Sequence, residues 1–254
     1  MKHLFIPDVQ AKEGVPMEHL SWIGKYILDK KPDVIIQIGD FADMPSLSSY
    51  DKGKKCFEGR RYTKDIEAAR TAMDLLLAPM KSYNNKQREF KKKQYTPRMV
   101  LTLGNHERRI EKAVDAQAEL EGLISYDDLP YKDWEVHGFL EPVFIEGICY
   151  THYIANPLTG MPRGGMASTL LDKVGHSFAV GHTQKLEVAT RYLNTGQQQW
   201  GIVAGACYLH DEEYKGPQGN LHWRGVIMLH NVKEGSFDPM FVSLEYLRGR
   251  YGRS

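Results

Sequence analysis

Val34-Ile35-Ile36-Gln37-Ile38-Gly39-Asp40-Phe41-Ala42-Asp43 is a short apolar run that breaks off at a glycine and two acids. Its β-branched residues predict a strand buried on both faces of a sheet. The same shape recurs along the chain. His3-Leu4-Phe5-Ile6 precedes Asp8, and Met99-Val100-Leu101-Thr102-Leu103 precedes Asn105. Ile148-Cys149-Tyr150 leads to His152, and Ser177-Phe178-Ala179-Val180 leads to His182. Each strand end delivers an oxygen or nitrogen donor to a loop, which is where α/β proteins place their chemistry.

The polar segments are Asp8-Val9-Gln10, Gly39-Asp40-Phe41-Ala42-Asp43, Gly104-Asn105-His106-Glu107, Thr151-His152 and Gly181-His182-Thr183-Gln184. Together they offer the carboxylate, amide and imidazole donors of a cage for two metal ions. Taken singly, each has an ordinary reading. An aspartate after a strand caps a helix or forms a turn, and Glu107 would favour the N-terminal dipole of a following helix. The order of the five, each behind a strand, is what carries the signal.

In that order the segments resemble the calcineurin-like metallophosphoesterases, whose series runs Asp-x-His, Gly-Asp-x-x-Asp, Gly-Asn-His-Glu, a later His and Gly-His-x-His. The resemblance spans Asp8 to Gln184. It implies an α/β fold built as a two-sheet β-sandwich flanked by helices, four layers in all. It also implies that Asp40 bridges two divalent ions. Asp8, Gln10 and Gln184 would complete one site; Asn105, His152 and His182 would complete the other. His106 matches the family histidine that stands near the leaving group without ligating metal, and Asp43 matches the acid that orients it.

Three positions depart from the family pattern. Gln10 and Gln184 stand where the family has histidines, and both fall on the same metal site. An exchange of imidazole for amide oxygen favours harder cations such as Mg²⁺ or Mn²⁺. Manganese is therefore the expected metal, with magnesium, nickel, cobalt, zinc and iron as alternatives. The site with two histidines is expected to hold its ion tightly and the glutamine site to exchange readily. Met44 follows Asp43 where phosphatase branches often carry a phosphate-binding arginine. Arg108, Arg109 and Arg163 are then the candidates for gripping substrate phosphate.

These features point to a metal-dependent phosphohydrolase acting on phosphomonoesters or phosphodiesters, with nucleic acid a candidate substrate. Paired divalent ions about 3.5–4 Å apart polarise a phosphoryl oxygen, lower the pKa of bound water and neutralise charge in an in-line displacement. The leaving alkoxide needs a proton, which a histidine beside the cage can supply. The alternative is a protein on the same fold that binds metal or nucleic acid with weakened catalysis. His106 and Asp43 favour the enzyme, because a binder has no use for a positioned acid and its orienting carboxylate.

Composition fits one domain. At 254 residues, 42% of them hydrophobic, the chain can bury a single sizeable core. No apolar run approaches the roughly 20 residues that span a bilayer, so no membrane partner is expected. Met1 to Pro7 reads as a first strand rather than a signal peptide. The expected location is the cytoplasm, or the host cytoplasm if the chain is phage-encoded, as the segment around Glu213 to Gly225 suggests. Cys56, Cys149 and Cys207 form no Cys-x-x-Cys pair and read as free thiols. Oligomeric state is not legible.

Between the second and third core strands, about 44–98 reads as an elaborated helical insertion. Ile66, Ala69, Met73, Leu76 and Leu77 recur at helical spacing, predicting a helix near Asp65 to Met80. From Lys81 to Arg98 seven basic residues face one acid, Glu89, although the whole chain carries only +1. Both a solvated helical face and a docking strip for a polyanion fit this run. Helices are also expected from Met17 to Lys30 and from Glu107 to about Leu120. The loop Asn156 to Gly165 could carry substrate through Arg163 or be a plain turn. Later strands around Glu187–Tyr192, Gln199–Val203, His222–His230 and Pro239–Tyr246 favour a second sheet. Asp211-Glu212-Glu213 reads as a solvated acidic turn able to reach the site from a late loop. His3, His19, His137, His176, His210, His222 and His230 read as structural or surface residues.

Overall fold

The computed structural model describes residues 1–212 and 215–252. Glu213 of the acidic turn therefore lies outside the described residues, as do Tyr214, Arg253 and Ser254. Strands β1 (His3–Ile6), β2 (Val34–Gln37), β3 (Arg98–Thr102) and β4 (Glu135–His137) lie side by side and parallel. Because they run the same way, the residues after β1, β2 and β3, including Asp8, Asp40 and Asn105, emerge at one edge. Helix α1 (His19–Lys30) joins β1 to β2, and α2 (Tyr62–Glu89) lies within the connection from β2 to β3. A short helix, α3 (Arg109–Ala116), follows the Asn105 loop.

A second sheet contains β5 (Val143–Ile145), β6 (Ile148–Tyr150), β7 (Ser177–Val180), β8 (Glu187–Tyr192) and β9 (Gln198–Val203), in the order β5-β6-β7-β9-β8. Helix α4 (Ala167–Val174) joins β6 to β7. These two strands are parallel, so the residues leading to His152 and His182 leave the same edge. The chain then passes a single-turn helix, α5 (Gly216–Gly219), and returns to the first sheet. There β10 (Gly225–Lys233) runs antiparallel beside β1, β11 (Ser236–Ser243) beside β10, and α6 (Leu244–Tyr251) closes the fold.

Alternation along the strands builds the layers. Phe5, Val34, Ile36, Ile38 and Val100 face Val143, Ile148, Tyr150, Ala179 and Ile202 of the second sheet. Leu4, Ile6, Ile35 and Leu101 face the other way, onto Leu20 and Ile23 of α1 and Met73 and Leu76 of α2. On the far side of the second sheet, Cys149, Phe178 and Val203 pack on Leu170 and Leu171 of α4. The expected α/β architecture, two sheets face to face with helices outside both, is the one observed.

Three details differ from the sequence reading. The strands expected near His222–His230 and Pro239–Tyr246 belong to the first sheet, not the second. Val226 and Met228 face the helices while Ile227 and Leu229 face the other sheet, so the strand is apolar on both faces and its pattern suits either sheet. Helix α2 continues nine residues past Met80, through a mostly polar stretch without apolar spacing whose last four residues, Lys86 to Glu89, are good helix formers. The helix expected from Glu107 to Leu120 is confined to α3, with a separate 3₁₀ turn at Ala118–Leu120. Among the described residues no helix is long and apolar enough to cross a membrane. Cys56, Cys149 and Cys207 are free thiols.

One buried polar contact spans the sandwich. His3 Nδ1 on β1 lies 2.8 Å from the Tyr150 hydroxyl on β6, with both residues fully buried. Burial, followed by the N-terminal charge, lowers the His3 pKa to about 4, so the ring is neutral near neutrality. Its Nε2 has no partner. Tyr150→Phe strands the second nitrogen as well and should cost about 1–3 kcal/mol, read as a lower urea midpoint at unchanged slope. An unaltered midpoint would remove this contact from the folding energetics.

Candidate metal centre

The two halves of the sandwich deliver their loops to one place. His152 Nε2 lies 3.0 Å from Asn105 Oδ1 and 3.3 Å from Asp40 Oδ2. Donor atoms of Asp40, His152 and His182 fall within 4.8 Å of one another. The other ring nitrogen of His152, Nδ1, donates to the Ile38 carbonyl at 2.9 Å, which fixes the tautomer and turns the Nε2 lone pair into the cluster. The His182 ring packs against Tyr153, tilted by 47° with centroids 4.8 Å apart. Burial and then the nearby charge of His152 lower its pKa to about 4, leaving a neutral donor. A carboxylate, an amide oxygen and two imidazoles at these separations fit a divalent transition metal.

Close approach depends on two glycines. A Cβ on Gly104 would stand 2.1 Å from Asp40 Oδ1, and one on Gly181 would stand 2.4 Å from Asp8 Oδ1. The backbone is also bent to the task. Gln10, Asp40, His182 and Gln184 all adopt left-handed φ values between 48° and 68°. Such conformations cost about 1–3 kcal/mol each in non-glycine residues and persist where surrounding structure imposes them.

Much of that imposition comes from Glu107. Its fully buried carboxylate accepts the backbone N–H groups of Asp40, Ala42 and Gly104 and the Tyr131 hydroxyl, all at 2.9 Å. Glu107 therefore turns inward to fasten the loops after β2 and β3, rather than sitting at a helix terminus as its ordinary reading had it. Asp40 Oδ1 in turn accepts the His106 N–H at 2.9 Å. Burial would raise the Asp40 pKa, but the charges of His106 and His152 outweigh it and keep the carboxylate ionised.

His106 flanks the cluster. Its Nδ1 donates to Asp43 Oδ1 at 2.6 Å, and its Nε2 lies 3.7 Å from Asp40 Oδ2. Asp43 is buried and held well below the usual carboxylate range, since His106, Lys12 and Arg109 outweigh the burial that would raise it. Lys12 joins Asp43 Oδ2 at 3.0 Å to Glu212 Oε1 at 2.7 Å, and His210 closes on the same oxygen at 2.8 Å. The acidic turn thus does reach the site, through Glu212. Lys12 gave no signal in the sequence beyond following Gln10 by two residues.

The half framed by Asp8, Gln10 and Gln184 is built differently. Asp8 Oδ1 accepts the His182 N–H at 3.2 Å, while Asp8 Oδ2 and both polar side-chain atoms of Gln10 are buried without partners. Burial, reinforced by the Asp40 charge, raises the Asp8 pKa to about 7. Gln184 Oε1 accepts the Tyr208 hydroxyl at 2.8 Å and the Lys215 ammonium.

The expected phosphate-binding arginines separate. Arg108 lies over the Phe139 ring at 4.8 Å and, with Asn105, His182, Tyr153 and Lys112, lines a cleft of about 790 Å³. Arg109 is anchored to the Asp43 carbonyl at 2.7 Å and to the carbonyl of the buried Met44 at 3.3 Å. Arg163 is on the same loop as Met161 and Pro162, which line that cleft, but its own side chain is not on the wall.

No family model matches this chain. The gene 54 protein of Mycobacterium phage D29 is 24% identical over 200 residues, covering 74% of this chain and 72% of that protein. Among solved structures, Yfce, a phosphoesterase from E. coli, is similar at a TM-score of 0.41 and 11% identity, over 96% of this chain and 100% of that one. A second solved chain reaches 0.39 at the same identity, over 95% and 99%. None of these likenesses assigns a role to a residue here.

In the metal-free chain, burial would lower the His152 pKa, yet Asp40 and Asp8 raise it to about 9. The folded value lies above the ordinary 6.5, so the stability this ring gains from Asp40 is complete below about 6.5 and disappears as pH rises through about 9. A metal must displace that proton. Manganese should therefore release protons on binding at neutral pH, and its thermal stabilisation should grow between about pH 6 and 9. Calorimetry in buffers of different ionisation enthalpy checks the first, and thermal melts the second. A pH-independent shift without proton release would put the ion elsewhere.

Proposed function

We propose that this chain is a metal-dependent phosphohydrolase of the calcineurin-like kind, acting as one domain with the 44–98 region as an elaboration. The carrying observation is the convergence of Asp40, Asn105, His152 and His182 beside a His106–Asp43 pair that belongs to no ligand set. A divalent ion held by the first four, manganese being the expected one, would polarise the phosphoryl oxygen and neutralise charge as it develops. In the dinuclear arrangement expected from sequence, Asp8, Gln10 and Gln184 form the weaker, all-oxygen half.

The surrounding side chains supply the rest. Asp43 fixes the His106 tautomer through Nδ1, leaving Nε2 as the proton carrier for the departing alkoxide. Asp40, Asp43 and the hydrogen bond to Asp43 hold the His106 pKa above its ordinary value against the lowering effect of burial. That direction suits a ring that donates a proton to a leaving group. A pure binding role would leave this arrangement without a purpose.

The shape of the surface supports a diester. Asn105 and His182 open onto the cleft with Arg108 and Phe139, whereas His106 opens onto a second cleft of about 950 Å³ with Lys12, Lys54, Arg60 and Arg61. Ser48, Tyr50 and Arg109 form the rim shared by both. A phosphodiester can run from one cleft to the other, with Arg108 and Lys112 on the first wall and, on the second, Lys12, Lys54, Arg60 and Arg61 standing among the acids Glu13, Asp43, Asp51, Asp65, Asp211 and Glu212. The Phe139–Tyr153 pair, ring centroids 5.6 Å apart, offers a face for base stacking. Single-stranded nucleic acid fits both features.

With Mn²⁺, the protein should cleave bis-p-nitrophenyl phosphate and single-stranded DNA faster than p-nitrophenyl phosphate. His106→Ala should lose about 10²–10⁴ in rate on esters with poor alkoxide leaving groups and much less on the activated aryl esters. Equal losses on both would remove His106 as the acid. Inactivity on all three substrates with Mn²⁺, Mg²⁺, Co²⁺ and Ni²⁺ would sink the hydrolase reading.

A further inference from the structure

The weaker half of the centre contains a cation of its own. Lys215 leaves the loop after β9 and points its ammonium inward, where it donates to Gln184 Oε1 and, at 3.2 Å, reaches the Tyr208 hydroxyl. The ammonium also lies 6.0 Å from the centre of the Tyr208 ring. Tyr208 donates to the same amide oxygen at 2.8 Å, so Gln184 spends its acceptor on these two groups. An oxygen serving a lysine and a tyrosine is poorly available to a second metal ion.

Described residues on both sides of Lys215 are held by hydrogen bonds. Asn220 holds both ends of its turn, accepting from the Glu212 N–H at 2.9 Å and donating to the Glu212 and Gly216 carbonyls at 3.0 and 2.9 Å. Glu212 is itself clamped by Lys12 and His210. Arg224 ties the Leu209 carbonyl at 3.0 Å. Burial lowers the Lys215 pKa while the charges of Glu212 and Asp8 work to raise it, so the Asp8 carboxylate lies within electrostatic reach of the ammonium.

The paired exchange at positions 10 and 184 fits this arrangement. An ammonium has donors only and needs oxygen acceptors, which amide side chains provide and a protonated imidazole does not. Asp8, Gln10 and Gln184 are all oxygen-bearing, and Gln184 is the one the ammonium touches. Metal ligation by three such groups, one already engaged, is the poorer match.

We infer that the Lys215 ammonium takes the place of the second metal ion, so that the centre holds a single divalent ion beside one lysine. This rests on the phosphohydrolase reading and names the cation of its weaker half. The lysine fills the glutamine half as a compact point charge, while the Asp40–His152–His182 half holds the only ion.

Manganese content and electron paramagnetic resonance test this without an activity assay. At saturating Mn²⁺ the unaltered protein should bind about one equivalent and give an isolated six-line spectrum, whereas a pair of ions about 3.5–4 Å apart would couple strongly. Lys215→Met should raise the content to about two equivalents with a coupled spectrum. Two coupled ions in the unaltered protein overturn the inference while leaving the hydrolase intact. One ion in both proteins also overturns it, because something other than Lys215 then excludes the second. No bound manganese at all would instead count against the phosphohydrolase reading.

Discussion

The site depends on a carboxylate that never meets the substrate. Glu107 gathers three backbone N–H groups and a tyrosine hydroxyl around two oxygens. By doing so it pins the loop after β2 against the loop after β3. Asp40 can hold its left-handed backbone because its N–H is one of those donors, and its carboxylate is aimed by the His106 N–H in return. Burial, then the Asp40 charge, pushes the Glu107 pKa up, and the donors work against that rise. A buried anion so fully bonded is costly to leave unpaired, so the surrounding loops have little freedom to rearrange.

A second chain of charges runs outward from the same point. His106, Asp43, Lys12, Glu212 and His210 follow one another with contacts of 2.6 to 3.0 Å. The alternation of donor and acceptor along it links His106 to Glu212, on a loop 106 positions later in the chain. That loop also carries Lys215. One segment therefore serves both sides of the centre, supporting the His106 orientation through Lys12 and filling the glutamine half with a cation.

Much of this was legible from strand ends alone. The runs before Asp8, Asp40, Asn105, His152 and His182 are all strands, and Asp40, His152 and His182 do converge. What local pattern could not supply was anything set by a neighbour in space. β10 is apolar on both faces and could have joined either sheet; its pairing with β1 decides the matter. Helix α2 outruns its apolar stripe because its final turns face solvent, where periodicity is silent. Glu107 beside Asn105 and His106 resembled an ordinary helix-start acid, and only burial reveals its bracing role. Lys12, Tyr208 and Lys215 have no motif at all. Their meaning lies in what they touch, although two glutamines on one metal site were a trace of it.

The left-handed backbone at Gln10, Asp40, His182 and Gln184 has an evolutionary consequence. Glycine relaxes each of those positions, so a population selected for heat resistance alone would drift towards glycine there and grow sturdier while its centre emptied. Drift in the opposite sense, towards valine or isoleucine, is closed off by sterics. Each of these four positions thus gives up backbone ease for the side chain it presents.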